Sequence, residues 1–203
     1  IAEKNNLLHA PETYMEKIAV GKNIETGTVD LDFSLEKNLK NLADALNKKL
    51  CELTVCLLDR ERHNEIIDTL DNFKVNKKLI SDGDVSGALY VTNDKFAVDM
   101  FIGIGGGPEG VLAASALDAA NCFFQGRFIF NKDNDKKRAL EMGIKDLNKK
   151  YALNEIISGD SIFSATGITD GDLVKGIKLM GKKYLSETLV AHKNSGTFEV
   201  ISK

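Results

Sequence analysis

The sequence predicts an α/β fold, a sheet covered by helices on both faces. Short apolar runs alternate with amphipathic stretches along all 203 residues. Residues 103–110 read Gly-Ile-Gly-Gly-Gly-Pro-Glu-Gly, an apolar run entering a glycine-rich loop that opens a helix. Hydrophobic residues make up 43 % and charged residues 28 %, the balance of a globular chain that buries a core.

Taken in order, residues 14–20 form a strand followed by a turn through Gly21 and Gly27. From Ser34 onward Leu35, Leu39, Leu42 and Leu46 recur at helical spacing, with Ser34 as N-cap and Glu36 in the first turn. Leu53–Leu58 is a buried strand, and Glu61–Phe73 a helix. Lys78–Ile80 ends a further strand at the turn Ser81-Asp82-Gly83-Asp84. Residues 96–104 give the next strand. Glu109–Asn121 reads as a helix apolar nearly all round, which suits a buried one. Phe123–Phe130 follows as a strand and Asp133–Lys149 as a charged surface helix. Residues 161–168 form a strand and 170–180 a short helix. Two last strands flank the turn at Asn194-Ser195-Gly196.

Composition narrows the function classes. A net charge of −3 leaves no basic footprint, so no nucleic-acid partner is expected. No apolar run is long enough to span a bilayer and no charged-then-apolar leader is present, so no membrane partner is expected. Cys51, Cys56 and Cys122 are odd in number and lack C-x-x-C spacing, which reads as reduced thiols in a cytoplasmic protein. The first methionine is Met15, and the sequence is expected to be a piece of a longer one.

Three loops follow strand-like runs, where ligands of open α/β sheets collect. In Asp59-Arg60-Glu61-Arg62-His63, two guanidinium forks can converge on one phosphate, or the loop is a solvated helix start. The carboxylates of Asp82-Gly83-Asp84 can accept from sugar hydroxyls or hold a metal, or form an ordinary turn. The glycine loop lets backbone approach a ligand, its helix start suits an anion, and Glu109 offers a metal ligand. The histidines, His9, His63 and His192, show no ligand spacing, although His63 could assist a phosphate beside Arg62. Gly105, Gly107 and Gly110 also satisfy Gly-x-Gly-x-x-Gly, so a Rossmann-type dinucleotide-binding domain is a rival reading.

Tyr14-Met-Glu-Lys17, Asp82-Gly83-Asp84, Gly103 to Val111 and Ile162 to Asp172 together resemble class II fructose-1,6-bisphosphatase of the GlpX type. The likeness runs in order over essentially the whole chain and includes Gly126-Arg127 and Ser186 to Leu189. It implies membership of the lithium-sensitive phosphatase superfamily, with layered α/β/α/β/α architecture. This chain would cover the C-terminal part, a mixed sheet flanked by helices. The implied activity is hydrolysis of the 1-phosphate of fructose 1,6-bisphosphate to fructose 6-phosphate with Mn²⁺ or Mg²⁺, and in some members of sedoheptulose 1,7-bisphosphate. The alternative is a sugar-phosphate-binding module without catalysis.

Position by position, the resemblance implies substrate contacts from Tyr14, Arg60, Glu61, Arg62, Asp82, Gly83, Asp84 and Gly106, and metal ligation by Glu109. It implies a homo-oligomer, dimer or tetramer. Gly107 stands where the family pattern usually has alanine. The family's upstream metal-binding carboxylates and its Asp-Pro-Ile-(Asp or Glu)-Gly-Thr motif have no counterpart in this sequence. Residues 1–33 are therefore expected to end a metal-binding subdomain and 34–203 to form the α/β substrate-binding subdomain. These residues alone are expected to be inactive, with the catalytic residues upstream.

Overall fold

The structure is a computed structural model that describes residues 1–203. Its centre is the strand Tyr14–Val20 (β1). Alternation turns Met15, Lys17 and Ala19 to one face of the sheet and Glu16, Ile18 and Val20 to the other. Thr54–Leu58 (β2), Asn76–Ile80 (β3), Met100–Gly106 (β4), Phe123–Ile129 (β5) and Lys150–Ala152 (β6) complete a mixed sheet in the order β3-β2-β4-β1-β5-β6. β2 runs parallel to β3 and β4, whereas β1 is antiparallel to both of its neighbours.

Helices cover both faces. Leu35–Leu46 (α1) starts where the Ser34 side chain accepts from the Lys37 N–H, and it stops at Asn47, whose φ of 52 is left-handed. With Asn64–Asn72 (α2) it buries Leu39, Leu42 and Leu70 against Ile18, Val55, Leu57 and Met100. On the other face lie Asp84–Leu89 (α3) and Gly107–Ala119 (α4). Beyond α4 a second sheet is formed by Ile162–Thr166 (β7), Glu187–His192 (β10) and Thr197–Ser202 (β11), in the order β11-β10-β7. α4 is thus held between two sheets. Met15, Phe101 and Phe124 press on it from one side and Phe163, Leu189 and Ala191 from the other. That position explains a helix with no polar face, and it gives this chain an α/β/α/β stack.

Several elements depart from the sequence-based expectation. The helix expected from Glu61 begins as a 3-10 turn, Glu61–His63, and becomes α-helical only at Asn64. The strand expected from residue 96 begins at Met100, because Asp94–Phe96 is a 3-10 turn ending on Ala97 at φ 50. It continues through Gly106, so the glycine-rich run is strand leading directly into helix, without an intervening loop. The helix expected over Asp133–Lys149 (α5) ends at Glu141, two residues before Gly143 at φ 94. No helix forms over 170–180. Gly167 and Gly176 pack directly on the backbone of Lys175 and of Ile168–Asp170, a fold-back that a helix could not make. The segment ends in a hairpin of Lys178–Met180 (β8) and Lys183–Leu185 (β9) around Gly181 at φ 67. Its Leu179, Met180 and Tyr184 are exposed. α3, β6 and Leu153–Ile156 (α6) were not expected; all three are short.

Candidate functional site

The sheet polarity brings four strand ends to one edge. These are the carboxyl ends of β2, β3 and β4 and the amino end of antiparallel β1, where Tyr14 lies opposite Gly106. A hollow of about 340 Å³ opens there, lined by Tyr14, Arg60, Arg62, Asp82, Gly83, Asp84, Gly106 and Glu109, with Leu58, Val85 and Gly105 as its floor. Of the substrate and metal contacts that the resemblance implies, only Glu61 lies outside this lining. Glu61 is exposed on the 3-10 turn.

Arg62 is held from two sides. Its Nε donates to the Ile104 carbonyl at 2.9 Å, and its guanidinium lies 5.1 Å from the centre of the Tyr14 ring. Arg60 is tied only to the Asp59 carbonyl, at 3.1 Å. Across from them Gly83, at φ 83, turns the chain so that Asp84 opens α3. The Asp84 carboxylate is paired with Lys17, whose side chain is only 2 % exposed. Burial pushes the Lys17 ammonium below its usual pKa, and the Asp84 and Glu109 carboxylates oppose that shift.

The glycines serve this chain's own groups. A Cβ on Gly105 would overlap the Asp84 carboxylate and lie 3.1 Å from Lys17 Nζ, and one on Gly106 would overlap the Glu109 carboxylate. Gly107 donates its N–H to the Thr13 carbonyl at 2.7 Å, and Pro108 has no N–H. The α4 start is therefore a poorer anion site than expected, because few of its N–H groups are free. A dinucleotide reading fails on the same ground: the floor that a pyrophosphate would need is taken by two carboxylates. Arg60 and Arg62 are the cationic side chains that line the hollow.

His63 does not assist a phosphate. It is fully buried, its Nδ1–H donating to the Leu58 carbonyl at 2.7 Å and its Nε2 accepting from the Ile104 N–H at 2.8 Å. The neutral ring thus ties the end of β2 to β4. Burial holds its pKa below the ordinary 6.5. As pH falls, the unfolded chain takes up this proton first. The ring's contribution to stability is complete above about pH 6.5 and is lost as pH falls through the lower folded value. Denaturant titrations of wild type and His63→Ala should converge toward acid pH; a constant gap between pH 7.5 and pH 5 would contradict the neutral-ring assignment.

The remaining candidates carry no chemistry here. All three thiols are free; burial pushes Cys56 up to about 12 and Cys122 to about 11, so both stay protonated. No helix is long and apolar enough to cross a membrane. No group of three or more His, Cys, Asp or Glu in this chain could hold a metal ion by itself. Glu109 offers one exposed carboxylate. It stands on a ridge, since a second hollow of about 500 Å³, lined by Glu12, Thr13, Asn131, Lys132 and Asp135, shares Tyr14, Gly106 and Glu109 with the first.

A family model described as bacterial fructose-1,6-bisphosphatase, glpX-encoded, matches residues 1–203. The chain belongs to that family. Among curated class 2 relatives, the D-fructose 1,6-bisphosphatase class 2/sedoheptulose 1,7-bisphosphatase of Synechococcus sp. (strain JA-2-3B'a(2-13)) is 38 % identical, over 99 % of this chain and 61 % of the relative. The fructose-1,6-bisphosphatase class 2 of Haemophilus influenzae is 37 % identical over 98 % of this chain and 63 % of its own length. Fructose-1,6-bisphosphatase 1 class 2 of Escherichia coli K12 is likewise 37 % identical, over 99 % and 63 %. The chain thus spans about three-fifths of the length of these glpX-type relatives.

Lys17 is the site residue that motif reading missed. Its signal was present, because the period-two pattern of β1 sets a lysine between Met15 and Ala19 on the core face.

Proposed function

We propose that this chain is the substrate-binding part of a metal-dependent sugar bisphosphatase that removes the 1-phosphate of fructose 1,6-bisphosphate. One observation carries the reading. Two arginines, two aspartates and a lone exposed glutamate converge on one hollow, in a chain of the glpX-type family. Arg60 and Arg62 bind the phosphate that is not cleaved, since guanidinium forks match phosphate oxygens. Asp82 and Asp84 accept from sugar hydroxyls, Gly106 gives the sugar a flat backbone to lie on, and Tyr14 bounds the pocket beside Arg62. Glu61, exposed on the 3-10 turn outside the hollow, is kept as a substrate contact. Glu109 is the ligand this chain gives to Mn²⁺ or Mg²⁺. A bound divalent cation would polarise the phosphoryl group and activate water. Further ligands can approach Glu109 from its second hollow, as expected if the rest of the metal site lies outside residues 1–203. In this reading residues 1–33 end that upstream subdomain, and β1 is the strand by which it joins the sheet of 34–203. Sedoheptulose 1,7-bisphosphate is a second substrate.

The reading includes a cytoplasmic homo-oligomer, dimer or tetramer, which the exposed apolar β8–β9 hairpin favours. A phosphate-release assay with Mn²⁺ tests the activity. The full-length protein should hydrolyse fructose 1,6-bisphosphate and residues 1–203 alone should not. Arg62→Ala should raise KM by about tenfold or more with a smaller effect on kcat, because a charge-assisted hydrogen bond contributes about 1.5–3 kcal/mol and this phosphate is not the reacting one. An Arg62→Ala effect confined to kcat would put the wrong phosphate beside Arg62.

A further inference from the structure

The buried cation of the site, Lys17, has a place that stability does not explain. Its stem passes Gly110 of α4, where a Cβ would sit 3.4 Å from Lys17 Cε, and its Nζ ends beside Gly105. There it meets the Asp84 carboxylate, its ion-pair partner. Desolvating such a pair offsets most of its attraction, and an apolar side chain of similar volume commonly serves folding as well or better. Glu109 lies close by, its carboxylate over Gly106, the next residue along β4. Lys17 therefore stands behind both acids that the proposed function uses, one for the sugar and one for the metal.

We propose that Lys17 is the positioning residue of this site: it holds Asp84 against the Gly105 floor in the orientation that receives sugar hydroxyls, and its charge weakens the pull of Glu109 on a divalent cation. This rests on the function proposed above. The Lys17–Asp84 pair uses Asp84 Oδ2, which leaves Oδ1 for a ligand hydroxyl. The two effects have opposite signs. Removing the ammonium frees Asp84 to turn away, which weakens sugar binding. It also removes a positive charge near the metal ligand, which strengthens cation binding. A merely structural lysine would weaken both when replaced.

The test uses the full-length protein and two calorimetric titrations, Mn²⁺ alone and fructose 6-phosphate alone, beside steady-state kinetics. Lys17→Met should bind Mn²⁺ about fivefold tighter and fructose 6-phosphate about tenfold weaker, as expected for losing one unit charge and one oriented carboxylate. Lys17→Arg keeps the charge and shifts the donors, so Mn²⁺ binding should stay near wild type while sugar binding falls. Asp84→Asn combined with Lys17→Met should lose no more sugar affinity than Asp84→Asn alone. Weaker binding of both ligands by Lys17→Met, or additive losses in the double variant, would overturn the inference. Should Lys17→Met fail to fold, Lys17→Arg decides, and a changed Mn²⁺ affinity there overturns it. A wild-type protein that binds fructose 6-phosphate but cleaves no bisphosphate would overturn the activity reading instead, leaving the signs of the Lys17 effects to be judged by calorimetry.

Discussion

Glu109→Gln in the full-length protein should lower kcat by about a hundredfold or more and raise the Mn²⁺ concentration needed for half-activity. A ligand that helps a cation stabilise transition-state charge is worth several kcal/mol, and each 1.36 kcal/mol is about tenfold in rate. Glutamine keeps the shape and an oxygen donor but removes the charge. Folding should be little affected, because Glu109 is exposed at the first turn of α4. The thermal midpoint of the variant should therefore match wild type, which separates this loss from a structural one. Unchanged metal dependence would remove Glu109 from the metal site.

Gly105→Ala, the addition of one methyl group, should destabilise the protein by roughly 3–5 kcal/mol and abolish fructose 6-phosphate binding at millimolar concentration. The Asp84 carboxylate and the Lys17 ammonium meet over this residue. β4 cannot retreat, since β1 pairs with it along its whole length, from Met100 to Gly106. Asp84 would have to swing away, leaving Lys17 buried without its partner. Gly143→Ala is the matching control: nothing lies within 4 Å of its Cβ, but its φ is 94. It should cost only the roughly 1–2 kcal/mol of a left-handed alanine, with sugar binding intact. Denaturant midpoints of both variants check the pair. A Gly105→Ala cost below that of Gly143→Ala would refute the close approach.

Where local chemistry decided the structure, the sequence could be read directly. Ser34 caps α1 as its hydroxyl requires, and leucines at helical spacing face the core. The apolar all-round α4 announced a helix buried along most of its length, although Leu112 remains exposed. Asp82-Gly83-Asp84 turned where a glycine at positive φ was needed. Reading failed where distant backbone decided. The fold-back of Gly167 and Gly176 onto backbone six to eight residues away replaced an expected helix over 170–180. His63 looked like a phosphate neighbour beside Arg62, yet its partner Ile104 lies 41 residues on, and no local pattern reports such a bond. The site residues were legible as types and motifs. Their common edge was not, because it depends on β1 running against β4, a pairing of residues some ninety apart.

That antiparallel central strand also governs how the molecule can assemble. β1 precedes the other strands of its sheet in the chain, but its two partners are β4 and β5, ending at Ile129. A nascent chain must carry Met15, Lys17 and Ile18 unpaired until more than eighty further residues have been made. Non-local pairing of this kind slows folding and leaves an apolar strand open to wrong partners meanwhile. The arrangement that delivers Tyr14 to the pocket thus sets a late, non-local pairing at the centre of the sheet.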